Sequence, residues 1–288
     1  MRTYAGIDLH SSNCYLAVID EQQRRLFSKR LPNSLGRIHA ALQPFKDELM
    51  GVVVESTYNW YWLVDGLQEE GYRMHLANPS AIRQYEGLKH TDDQWDAFWL
   101  AQLLMLGILP QGYIYPKAER PSRDLLRRRL LFVRHRTAHI LSLQSMVQRC
   151  CGRGISGNAI KKLTPPEAAA LFSDPQLGLT ARFQVETIGF LTQQIRSIEK
   201  AVLPQVKLRP EFEILLTMPG IGKILALTIM LEVGDIRRFA KAGNYASYCR
   251  CVKQRFSRCF KRHGNIRSGA QASFEFEFQS DPIQPRKG

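Results

Sequence analysis

A chain of 288 residues with 44% hydrophobic and 10% aromatic side chains can build a packed core and one large or two modest domains, which excludes a wholly disordered polymer. Forty Lys and Arg against 26 Asp and Glu leave a formal net charge of +14, a balance that points to a polyanionic partner such as nucleic acid. No apolar run reaches the ~20 residues of a membrane span, Asp8 falls where a signal peptide needs apolar residues, and six cysteines with no C-x-x-C pair suit neither a disulfide scaffold nor a zinc site, so a reduced, cytoplasmic protein without membrane contact is expected.

Tyr4 to Asp8 and Cys14 to Asp20 read as strands joined by the polar turn His10-Ser11-Ser12-Asn13. Arg24 to Leu31 adds a third strand and closes a meander. Ser34 to Leu49 spaces Leu35, Ile38, Leu42, Phe45 and Leu49 as one helix, with Ser34 as N-cap. Gly51 to Glu55 is an apolar run closing on an acid, the pattern of a buried central strand. Asn59 to Glu70 predicts a helix stopped by Gly71, Arg73 to Ala77 a fifth strand, and Pro79 the start of a short helix. Three antiparallel strands followed by α/β units predict an α/β protein, a mixed sheet with helices on its faces.

Asp93 to Gly107 follows as a helix. From Lys117 to Lys162 the chain carries twelve Lys and Arg against two acids, over a helical apolar stripe that includes Leu126, Leu130, Val133 and Val147. This predicts a basic amphipathic helix to about Cys151, a turn from Gly152 to Pro175, and a second long helix from Thr180 to Val202, together a coiled-coil-like arm. Arg123, Arg127, Arg128, Arg129, Arg134 and Arg136 are its candidate phosphate contacts. A third unit starts near Pro210, where Met218-Pro219-Gly220-Ile221-Gly222-Lys223 precedes an apolar helix from Ala226 to Leu231. That turn resembles the glycine hairpin of helix-hairpin-helix modules, which would put Lys223 beside a bound phosphate, and it reads equally as a tight turn before a buried helix. Beyond Val252 the composition becomes basic with little apolar periodicity, which predicts a poorly ordered tail.

The carboxylates carry the chemistry. Asp8 ends the first strand and Glu55 the fourth, so both emerge at one sheet edge if those strands are parallel neighbours. Asp93 and Asp96, three apart, share a helix face, although acids at a helix start also suit the macrodipole and Asp92 competes as N-cap. Four converging acids repel one another unless cations sit between them. Mg²⁺ takes hard oxygen ligands, and two such ions can clamp the attacking and leaving oxygens of a phosphoryl displacement. The expectation is a nuclease or strand-transfer site.

Gly6-Ile7-Asp8, Val54-Glu55-Ser56-Thr57, Lys89 to Ala97 and Leu216 to Gly222 together resemble the DEDD-type insertion-sequence transposases, in order and spacing, over roughly Arg2 to Val252. The resemblance implies a RuvC-like, ribonuclease-H-type domain over 1–116, a helical arm over 117–205, a partial, mostly helical C-terminal transposase domain over 206–252 and the tail over 253–288. It implies Asp8, Glu55, Asp93 and Asp96 as the Mg²⁺-binding tetrad, a guide RNA bridging element and target DNA, and a serine nucleophile, for which Ser257 is the best match. It also implies pairing of copies through the arm. After Val252 the residues depart from the family pattern, as in a truncated or frame-shifted copy. The function expected is Mg-dependent DNA cleavage and exchange in transposition. The rivals are a structure-selective nuclease of the junction-resolvase type and an inactive nucleic-acid-binding remnant.

Overall fold

The computed structural model describes residues 1–56, 59–82, 93–205, 209–249 and 251. Two units emerge. One joins Met1–Ile114 to the described residues from Ile236 onward, and the other is Tyr115–Asp235.

In the first unit β1 (Thr3–Leu9) and β2 (Asn13–Asp20) pair antiparallel, with Gly6 opposite Ala17 and Asp8 opposite Tyr15. The hairpin to β3 (Arg25–Pro32) is tied by Asp20, whose carboxylate accepts from the backbone N–H of Gln22 and of Arg24 at 2.9 Å each. β4 (Leu49–Glu55) then returns parallel to β1, β5 (Met74–Ala77) lies parallel to β4, and β6 (Gln111–Gly112) closes the edge antiparallel. The order β3-β2-β1-β4-β5-β6 is the mixed sheet that the strand pattern predicts and the arrangement that the family resemblance implies. The two-residue β6 was not foreseen, because it carries no alternating pattern.

Strand alternation divides the sheet into two faces. Ala5, Ile7, Val52, Val54 and Leu76 enter a core with Ile38 and Leu42 of α1 (Leu35–Leu42) and with Leu63 and Leu67 of α2 (Tyr61–Glu69). Val53 and Ala77 face the other way, onto Ile82 of the short α3 (Pro79–Ile82) and Leu100 and Leu103 of α4 (Asp93–Met105). Ala17 and Ile19 meet Ala97, Phe98 and Ala101 of the same helix. The single helix expected over 34–49 is in fact α1 followed by a 3-10 segment, Gln43–Glu48, and β4 starts two residues early. Pro44 explains the break: it has no N–H to continue the α-helical ladder.

The second unit is helical. α5 (Arg120–Cys151) ends at Gly152 in the left-handed conformation. After α6 (Gly157–Ile160) and α7 (Pro165–Ala169) the chain turns into α8 (Pro175–Val202). α8 starts earlier than Thr180 because Asp174 caps it, accepting from the N–H groups of Gln176 and Leu177, and Pro175 needs no partner at the first position. Arg129 to Glu199, Arg136 to Thr192 and Gln184 to Ser142 form a ladder in which one number rises as the other falls, so α5 and α8 are antiparallel. Leu143, Met146, Val147, Ala181, Val185 and Ile188 fill the seam. α9 (Pro210–Leu216) and α10 (Lys223–Val233) pack on the start of α5 through Leu126, Phe212, Leu227 and Leu231. α11 (Ala242–Tyr248) belongs to the first unit, where Phe239 meets Tyr245 edge to face and Tyr248 at a tilt. The basic tail from residue 253 lies outside the described residues.

One close approach governs the first unit. A Cβ at Gly6 would stand 2.0 Å from the Ala97 carbonyl oxygen and 2.8 Å from the Ala101 nitrogen. Both neighbours are helix backbone and cannot rotate aside. Gly6→Ala is therefore expected to lower the unfolding free energy by about 3 kcal/mol, the upper end for overpacking. Urea titration followed by circular dichroism measures this; a change below about 0.5 kcal/mol would show that α4 is not seated on β1.

Candidate functional site

Asp8 and Glu55 lie one step beyond the last paired residues of β1 and β4, Ile7 and Val54. They therefore sit side by side at the carboxyl ends of adjacent parallel strands. Both follow by two residues a position that faces α4: Gly6 in β1 and Val53 in β4. Alternation puts both carboxylates on that face. Asp8 is buried and Glu55 half-buried.

The direction of α4 brings more acid to this edge. Gln94 donates to Ser28 at 3.0 Å, and Gln102 reaches Gln23 at 2.7 Å in the turn beyond β2. Ser28 is level with Gly6 across β2, whereas the turn is level with the start of β1. α4 thus runs antiparallel to β1, with its N-terminus at the edge where Asp8 and Glu55 emerge. Asp93 is its first residue and Asp96 lies in its first turn. Asp96 is half-buried; the side chain of Asp93 is outside what the structure describes, as is Asp92. Among the described residues, no three His, Cys, Asp or Glu side chains gather into a group able to hold a metal ion.

The surroundings of Asp8 are built with care. His10 Nε2 lies 3.1 Å from Asp8 Oδ2. The His10 carbonyl in turn accepts from Asn33 at 2.9 Å and from Asn59 at 2.8 Å, tying the exits of β3 and β4 to that of β1. Burial first, and the Asp8 carboxylate second, push the Cys14 thiol up to about 11, so it stays protonated at neutral pH. His10 was not singled out from sequence, where it read only as part of a polar turn. The described acids at this edge, Asp8, Glu55 and Asp96, offer hard carboxylate oxygens, which suit Mg²⁺ better than a soft transition metal.

The basic residues divide sharply. Arg123 is only 5% exposed, and its guanidinium is 2.8 Å from Glu232, itself 2% exposed. Arg127 meets the other oxygen of Glu232 at 2.5 Å. The Arg123 guanidinium also stacks 3.7 Å from the centre of the Tyr115 ring, and the Tyr115 hydroxyl donates to the Glu232 carbonyl at 2.7 Å. Arg123 is thus an interior residue and not the phosphate contact that the sequence suggested. The physical reason is Glu232, an acid at the end of an apolar helix, which demands a counter-charge when buried. Arg129 pairs with Glu199, and Arg136 donates to Thr192. Arg128, Arg134 and Lys223 are exposed. Lys223 opens α10 after Gly222, with Gly220 at a φ of 84°, so the predicted glycine turn between two helices is present. Ser257 lies outside the described residues.

With this geometry in hand, comparison with known proteins is informative. Residues 5–151, just over half of the chain, match the family model described as Transposase, of the DEDD IS110 type. Residues 212–272 match the model described as Transposase IS116/IS110/IS902 family. The first stretch contains Asp8, Glu55, Asp93 and Asp96. The second contains Lys223 and Ser257, and it runs on past Val252, where the resemblance read from the sequence stopped. No curated protein sequence matches the chain. One similar solved structure is described as T. thermophilus RuvC in complex with Holliday junction substrate, at 18% identity, over 38% of this chain and 99% of that one, with a TM-score of 0.30.

Glu232→Gln would keep the shape of the buried cluster and remove its only described negative charge toward Arg123 and Arg127. Breaking a buried pair from one side typically costs about 3–5 kcal/mol, so a loss of about 3 kcal/mol is expected by denaturant unfolding. The double change Arg123→Met with Glu232→Met should recover most of it. A single variant as stable as the parent would remove Glu232 from its structural role.

Proposed function

The chain belongs to the IS110-type transposases, and from that premise we propose that it cleaves and exchanges DNA strands with Mg²⁺ held by Asp8, Glu55, Asp93 and Asp96. Family membership makes it a DNA-recombining enzyme at the coarse level. The finer reading rests on one observation above all: Asp8 and Glu55 stand in register at one sheet edge, beneath the end of α4 that carries Asp93 and Asp96.

Each residue then has a role. Asp8 is the interior ligand, fixed by β1 on one side and His10 on the other. Glu55 supplies an oxygen from the neighbouring strand. Asp93 and Asp96, a helical step of three apart, close the set from above. When bound, Mg²⁺ would help deprotonate the attacking group and stabilise the leaving oxygen. Ser257 is the proposed nucleophile in strand exchange, as the family pattern assigns it. A guide RNA is the proposed second nucleic-acid partner, and the cytoplasm the proposed location; no helix among the described residues is long and apolar enough to cross a membrane.

Two features support the binding and assembly parts of the proposal. Arg128, Arg134 and Lys223 are exposed, so phosphates can reach them. Leu179, Phe183 and Phe190 are 47–58% exposed and fall on one side of α8, a stripe that suits pairing with a second copy.

Asp8→Asn tests the centre of this reading. Mg²⁺ affinity, measured by isothermal titration calorimetry, should fall beyond detection, and DNA processing should stop. Thermal stability without metal should hold or rise, because one of several crowded negative charges is removed. A large drop in metal-free stability with unchanged Mg²⁺ affinity would make Asp8 a structural residue.

A further inference from the structure

The rung of the sheet that holds Asp8 continues across two more strands. Asp8 is opposite Tyr15 in β2, and Tyr15 is opposite Arg30 in β3. Residues opposite one another in an antiparallel ladder share a face. Tyr15 packs against the cluster of Ala17, Ala97 and Phe98, so that face is the one covered by α4. Neighbouring strands are about 4.8 Å apart, which puts the Arg30 backbone about 10 Å from that of Asp8 in the same row. A chain of hydrogen bonds ties the row to α4: Ser28 donates to the Tyr15 hydroxyl at 3.4 Å and accepts from Gln94 at 3.0 Å. Gln94 lies between Asp93 and Asp96 in the first turn of that helix.

Arg30 is exposed, yet its side chain is anchored. Its Nε donates to the side-chain oxygen of Asn13 at 2.8 Å, and Asn13, two residues before Tyr15, is on the same face. That bond uses one of five N–H donors and leaves the two Nη groups for an outside acceptor. Among the described residues Arg30 is in no ion pair. The neighbouring cations of the hairpin are placed otherwise. Arg24 pairs with Asp20 at 2.6 Å, and Arg25 lies over the rings of Phe98 and Trp95, 4.4 and 5.1 Å from their centres. Lys29, opposite Leu16, is on the other face of the sheet, toward the core shared with α1 and α2.

We propose that Arg30 holds a backbone phosphate of the DNA strand that enters the carboxylate edge, a few nucleotides from the phosphate at the metal. The inference rests on the Mg²⁺ reading given above and adds a substrate-binding residue to it. At about 3.4 Å of duplex axis per phosphate, a row of about 10 Å spans roughly three nucleotide steps. The planar fork of arginine can take two phosphate oxygens at once, and the bond to Asn13 orients it beforehand, so less side-chain freedom is lost on binding. Metal at the carboxylates would hold one phosphate and leave the strand free to swing about it. A second contact along the row of Asp8, Tyr15 and Arg30 fixes the direction in which the strand crosses the edge.

The probe is a short fluorescein-labelled DNA duplex, and its binding to the full-length protein is followed by anisotropy across a range of salt, with Mg²⁺ and with a chelator. With Mg²⁺, Arg30→Gln should weaken binding about tenfold and lower the slope of log K against log salt by about 0.9, the share of one phosphate. With the chelator this difference should largely disappear, because metal-free carboxylates keep the strand off the edge. Arg30→Lys should keep the parent slope and recover only part of the affinity, since an ammonium has no fork. Lys29→Gln makes the same change of charge one residue away on the opposite face, and it should leave affinity and slope unchanged. All three variants should melt with the parent. Parent-like binding by Arg30→Gln, an equal loss in Lys29→Gln, or a loss undiminished by the chelator would overturn the role of Arg30 while leaving the Mg²⁺ reading standing. DNA affinity and Mg²⁺ binding both untouched by Asp8→Asn would overturn that reading, and the Arg30 contact with it.

Discussion

Because Gly6 has no side chain, the backbone of α4 rests directly on β1, with Ala97 and Ala101 supplying the matching small surfaces. This contact fixes both the height and the direction of α4 over the sheet. The rest of the acidic edge follows from it. Gly6 and Asp8 share a face of β1, so the residue that seats the helix also sets where the carboxylate emerges beneath the N-terminal turn of that helix. The hydrophobic alternation of β4 does the same for Glu55, through Val53 against Leu100 and Leu103. A nonpolar packing requirement thereby sets where the ends of β1 and β4 lie beneath the start of α4.

The helical unit solves a different problem. Its long helices carry a large excess of positive charge, and part of that excess is turned inward. Glu232 binds Arg123 and Arg127 at the place where α10 crosses α5, and Arg209 donates to the carbonyls of Met230 and Gly234 just around it. These bonds satisfy the C-terminal carbonyls of α10 and fix how it lies on α5. Arginine suits this role because its planar fork can serve a carboxylate and stack on Tyr115 at once. Other cations of α5, Arg128 and Arg134 among them, stay toward solvent.

Much of the sheet was legible in the sequence because its central strands are continuous apolar runs and its turns carry polar residues. Asp8 and Glu55 were legible as an adjacent pair for the same reason: each closes a run whose burial is unmistakable. The division of the arginines was not legible. Arg123 and Arg128 are indistinguishable in a basic helix until the partner of Glu232 is known, and that partner lies more than a hundred residues away in the chain. The one available signal was Glu232 itself, an acid against the apolar stretch Ala226–Leu231. Helix ends were missed where local capping chemistry overrode periodicity, at Pro44 and at Asp174.

The central claim is that the edge shared by β1, β4 and the start of α4 holds divalent cations. Anomalous diffraction from crystals grown with Mn²⁺, which takes the same oxygen ligands as Mg²⁺, tests it most directly. The account predicts an anomalous peak in contact with the carboxylates of both Asp8 and Glu55. Well-ordered Asp8 and Glu55 with no peak between them, or with manganese bound only elsewhere on the protein, would contradict it.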